Sequence, residues 1–145
     1  MSLLFLLALQ AVVVPPDLEV GPTAPQTNHE ARYPTSFDWD TLPPLSYRNQ
    51  PTLTPAMRRF VDGEVASGRC RPLRDAAGRY TLTVDVAVLV DGDGRILRTI
   101  PRAIDCVTVE QFGAGLALSF ARENLLPRTR RDDRWFRATF VFPQP

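Results

Sequence analysis

Two stretches of the chain alternate apolar and polar residues with a period of two, and two others repeat their apolar residues at helical spacing. "RYTLTVDVAVLV" sets Leu82, Val84, Val86, Val88 and Val90 on one side and Thr81, Thr83, Asp85, Ala87 and Leu89 on the other, which predicts a half-buried strand. "RWFRATFVF" repeats the pattern, with Phe136, Ala138, Phe140 and Phe142 against Trp135, Arg137, Thr139 and Val141. Between them "RILRTIPR" carries Ile96 and Ile100 in a shorter, less regular strand that Pro101 limits. The first helix is predicted over about residues 55 to 67. Thr54 is its N-cap, Pro55 takes the first helical position, Met57, Phe60, Val61 and Val65 share a face, and Gly68 lies past the end. In "CVTVEQFGAGLALSFARENLLP", Thr108 and Gln111 match a capping box and Val107 and Phe112 a hydrophobic staple. Val109, Phe112, Gly113, Leu116 and Phe120 then line one face, and the small residues Gly113, Ala114 and Ala117 would let this helix lie close on a sheet.

The order α-β-β-α-β predicts an α+β fold of two layers, a small antiparallel sheet covered by two helices, spanning residues 54–143. Ahead of it, residues 15–53 form a Pro-rich linker or arm with no periodicity that could bury a face. Within the arm, "YPTSFDWDTLPPLSY" gathers Tyr33, Phe37, Trp39 and Tyr47. Such aromatics need a surface, either the chain's own domain or a partner. The run Leu3 to Val14 is too short for a bilayer, which needs about 20 residues. Residues 1–14 are read as an export signal peptide, with the remnant of a longer anchor as the alternative.

Composition narrows the function classes. The net charge is +1 and every basic residue is arginine. The balance is too mild to predict a nucleic-acid partner, which calls for a concentrated basic face. The two cysteines, Cys70 and Cys106, cannot make a four-ligand zinc site with one histidine. In an exported chain the even count predicts a disulfide between them; in an unexported one they would be buried free thiols.

"VLVDGDGRIL" places Asp91 and Asp93 where a calcium loop could begin, but an EF-hand counted from Asp91 puts Arg95 at position 5, Ile96 at 6 and Arg102 at 12. Those positions require oxygen ligands and a glycine, so the stretch is read as a hairpin turn. No catalytic pattern emerges: His29 lies in the arm, no serine has a nucleophile signature, and "FGAGLAL" lies within a helix. Asp85 is expected to pair with an arginine across the sheet. "RTRRDDR", Arg128 to Arg134, is expected to be an exposed loop of mixed charge, with a phosphate or lipid contact as the alternative. No enzyme activity, cofactor or metal is predicted.

The body resembles a divergent TonB C-terminal domain. The resemblance rests on "LTVDVAVLVDGDGRIL", on the alanine-containing helix that ends before Pro127, on the closing strand "WFRATFVF", and on the Pro-rich segment ahead of them. It implies a periplasmic module that binds an envelope protein or peptide by strand addition to an exposed sheet edge. That edge would be the last strand, with Arg137, Thr139 and Val141 beside the partner. The alternative is a stand-alone structural or self-associating protein, a homodimer paired through the same strand or through the arm.

Overall fold

In the computed structural model, which describes residues 37–144, the valine-rich stretch forms β1, Thr81–Val90, at the centre of a three-stranded sheet. β2, Ile96–Pro101, and β3, Arg134–Pro143, flank it in the order β2-β1-β3, and both pairings are antiparallel. Of two helices, α2 over Val107–Ala121 lies on β1 and β2, and α1 over Pro55–Ala66 packs against α2 and contributes Val61 to the same core. The predicted α+β architecture is therefore the one observed. The expected export signal, and the arm up to residue 36, lie outside the described residues.

The central position of β1 follows from its composition. Val84, Val86, Val88 and Val90 are fully buried under the helices, and each such side chain contributes about 1.5–3 kcal/mol of burial free energy. α2 comes close enough to cover them because it offers no side chain at Gly113. A Cβ built there would lie 2.5 Å from Val84 Cγ1. Ala117, one turn on, is fully buried.

The turn after β1 closes on itself. The Asp91 carboxylate accepts the amides of Asp93 and Arg95 at 2.9 and 2.8 Å, and Gly94 takes φ +82°, the left-handed conformation that favours glycine. "DAAGR" ahead of β1 is built in the same way. Asp75 accepts from Ala77 and Arg79, both at 2.9 Å, and Gly78 sits at φ +76°. Both aspartates thus spend their carboxylates on their own loops, and no cluster of potential metal ligands occurs among the described residues.

Three local expectations are corrected. First, α2 begins at Val107 with Cys106 at the cap position, and Thr108 does not cap it. The Thr108 hydroxyl instead donates to Glu64 Oε2 at 2.6 Å. The Glu110 carboxylate takes over at the helix start, accepting the amides of Ile104 and Cys106 at 2.8 and 3.1 Å, where a negative charge also suits the helix dipole. Val107 is exposed, so no staple forms. Second, α1 buries Val61 and Glu64, whereas Phe60 is 40% exposed and stacks on Phe112 at 4.5 Å. Arg69 grips Glu64 with two hydrogen bonds of 2.8 and 2.6 Å. That guanidinium first, and the Thr108 hydroxyl second, hold the Glu64 carboxyl down at about 2. Third, β1 is not half-buried. Ala87 and Leu89 on its second face are as inaccessible as the valines and Asp85 is nearly so, while Thr81 and Thr83 are exposed.

A disulfide joins Cys70 to Cys106, with Cα atoms 4.9 Å apart. It ties the chain leaving α1 to the start of α2. Just before α1, the Arg48 amide donates to the Asn124 carbonyl at 2.7 Å beyond the end of α2. The two attachments make the helices antiparallel neighbours.

Candidate sheet-edge binding site

A three-stranded sheet has two edges, each a row of main-chain N–H and C=O groups able to take another strand. On β2 that row is interrupted: Val90 pairs with Ile96 and Leu89 with Arg98, so Leu97 is bulged out, and Pro101 ends the strand without an N–H. A bulge and a proline both discourage strand addition.

β3 is treated differently. The Arg137 amide donates to the Pro43 carbonyl at 2.8 Å, and the Leu45 amide donates to the Arg137 carbonyl at 2.8 Å. Pro44 thereby forms a parallel bridge with Arg137. The aromatic arm thus meets the edge of β3 at a single bridge. Pro44's own main-chain groups face away from β3 in such a bridge, and proline has no N–H to offer there, so the covered stretch ends in a poor template.

Alternation then fixes what remains. Since Arg137 directs its main-chain groups outward, Thr139 and Val141 do the same, and Pro143 contributes a carbonyl. The Gln144 amide bonding inward to the Tyr80 carbonyl at 3.0 Å fits this phase. Among the described residues the outward groups of Thr139, Val141 and Pro143 have no main-chain partner. The exposed Val141 and the Thr139 hydroxyl sit on the second face beside them. That hydroxyl donates to Asp85 Oδ1 at 2.6 Å, and Arg102 Nη1 lies 3.4 Å from Asp85 Oδ2, the pairing expected for this strand carboxylate.

Arg137, Thr139 and Val141 do lie in one row, but the structure gives them different tasks. The Arg137 guanidinium donates to the Trp39 carbonyl at 2.9 Å and lies 3.7 Å from the Asp40 carboxylate. With its amide and carbonyl also taken, Arg137 is an anchor for the arm in this arrangement. The arm also supplies the cover for the second face. Phe37 packs edge-on to Trp135 at 4.8 Å and against Trp39 at 5.4 Å, and the Arg102 guanidinium lies 5.7 Å from the Trp39 ring. Trp135 is paired with Leu89, so these rings lie where Ala87 and Leu89 need shielding.

The "RTRRDDR" segment is also corrected in part. Arg128 is partly buried at its head, donating to the carbonyls of Val90 and Asp91 at 3.0 and 2.9 Å and to that of Asp132 at 2.8 Å, over the Phe136 ring. It caps the end of β1 and is not available to a phosphate or lipid. Its neighbours Arg130 and Arg131 are exposed.

No protein-family model, curated protein or solved structure matches the chain. No helix among the described residues is long and apolar enough to cross a membrane.

Proposed function

We propose that the chain is an exported, TonB-like protein-binding module of the cell envelope that takes an extended segment of a partner protein as an added strand on Thr139–Pro143, without catalysis or cofactor. The observation that carries this reading is the contrast between the edges. β2 is bulged, the Arg137 part of β3 is covered, and the outward groups from Thr139 onward have no main-chain partner among the described residues. A sheet that protects its edges elsewhere and leaves one segment unpaired among the described residues offers that segment for pairing. The arm itself supports the idea, because it already uses the same strand in the same manner. The disulfide supports a periplasmic location, since such bonds persist in oxidising compartments.

Photo-crosslinking from position 139 in cells tests the proposal. Capture of one discrete envelope protein is expected, and its loss in Val141→Pro, which removes an outward N–H while leaving the β1 ladder intact, would tie capture to main-chain pairing. No adduct from position 139 would refute it. The second reading is self-association, which is favoured by the symmetry of the open segment. Two copies could pair antiparallel about Val141, each Val141 amide meeting the other's carbonyl and each Thr139 amide a Pro143 carbonyl. A partnerless dimer in solution that Val141→Pro dissociates would select that reading.

A further inference from the structure

Among the described residues, two side-chain polar atoms are buried without a hydrogen-bond partner: Tyr47 Oη and Trp135 Nε1. Both belong to the contact between the arm and the domain. Tyr47 lies in the arm, where its main chain bridges to Leu125, and burial pushes its phenol up to about 12. Trp135 lies on β3 under Phe37. A buried donor or acceptor without a partner costs its full desolvation penalty, and native proteins leave few of them. Finding both at one contact marks that contact as frustrated, whereas the rest of the domain satisfies its buried side chains.

The contact is also thinly bonded. The arm is held by two main-chain hydrogen bonds to β3, by one from the Leu126 amide to the Ser46 carbonyl at 3.0 Å and by the Arg137 guanidinium on the Trp39 carbonyl, against ten paired positions between β1 and β3. Leu45, buried in the core, and the aromatic cover over Leu89 favour closure. The two orphaned groups favour release, since water would satisfy them both.

We infer that Phe37–Tyr47 is a strap with two positions, closed along β3 at Arg137 and released, and that release extends the open edge from Thr139 back to Trp135. Its significance for binding rests on the strand-addition reading proposed above. A short partner strand fits beside the closed strap; a longer one has to displace it. The strap therefore acts as an intramolecular competitor that sets how much of β3 a partner can pair with.

Amide hydrogen exchange on the full chain under native conditions tests the strap without any partner. The amides of Leu45 and Arg137 are expected to exchange at least about ten-fold faster than those of Val86 and Ala138, because only strap opening exposes the first pair. Tyr47→Phe removes one orphaned group, and it should slow exchange at Leu45 by about five- to a hundred-fold. Trp135→Phe removes the other and should act in the same direction. Exchange of Leu45 in step with Val86 would make the strap a permanent strand and overturn the inference. An unchanged or faster Leu45 rate in Tyr47→Phe would do the same. Crosslinking from position 139 reads the outer part of the edge whether or not the strap opens, so the two proposals fail separately.

Discussion

Two glycines of α2, Gly113 and Gly115, allow a controlled measure of how tightly this helix sits on the sheet. Replacing either by alanine gains about 1 kcal/mol of helix propensity. They differ in what the new methyl group meets. At Gly115 nothing lies within 4 Å of the Cβ position, and the residue is exposed. At Gly113 the methyl lies 2.5 Å from Val84 Cγ1 and 3.4 Å from Val84 Cβ. Val84 cannot yield easily. It is fully buried in the central strand, and its branched Cβ restricts rotation about χ1. Forcing a methyl group into such a site costs about 1–3 kcal/mol. Propensity cancels between the two variants, so Gly113→Ala should be about 1–3 kcal/mol less stable than Gly115→Ala. The latter should exceed the parent by about 1 kcal/mol. Urea unfolding with the disulfide intact gives both differences from the midpoints, provided the slopes agree. Equal stability of the two variants would refute the close approach of α2 to Val84. Adding Val84→Ala should relieve part of the penalty at Gly113 and none at Gly115, a coupling that a double-mutant cycle reads directly.

Two further outcomes follow from the contacts between α1 and α2. The Cys70–Cys106 bond spans a sequence separation of 36, for which chain-entropy arguments give about 3–4 kcal/mol. Replacing both cysteines by alanine should lower the unfolding free energy by that amount, measured in the same urea experiment. Glu64 has its carboxyl lowered from 4.5 to about 2 in the folded protein. Its contribution is therefore fully present above about pH 4.5 and is lost as the pH falls from there towards 2. Stability measured across that window should decline less steeply in Glu64→Gln than in the parent, and equal slopes would remove Glu64 from the acid response.

Four of the five elements were legible because each has its own hydrophobic period, β2 because it follows a hairpin turn, and the Asp-Gly turn because its glycines answer a specific backbone demand. The strap was not. Its contact with β3 depends on two main-chain bonds, the Arg137 guanidinium and a few rings, and none of these leaves a periodic mark on "WDTLPPLSY". The aromatic content signalled only that a surface was needed. Arg128 was misread because its partners are the carbonyls of Val90 and Asp91, which sequence cannot distinguish from solvent. Glu64 escaped notice for a related reason: Arg69 folds back on it from just past the end of α1, and Thr108 reaches it from α2. For the edge site, alternation along "WFRATFVF" correctly grouped Arg137, Thr139 and Val141. Only the course of the arm could divide them into an anchored residue and an open segment.

The strand order β2-β1-β3 also bears on how the sheet assembles in time. β1 meets β2 across one self-closing turn, a local hairpin of the kind that forms in about 1–10 μs. Its other ladder, from Thr81 with Pro143 to Val90 with Arg134, can close only after α2 has been made and the chain has doubled back. Non-local pairing of that sort carries the larger entropy cost and dominates folding rate. During synthesis the strap has to wait as well, since β3 is the surface it binds. The valine strand is therefore the first part of the sheet to exist and one of the last to be protected, and its wait ends with the arrival of "WFRATFVF".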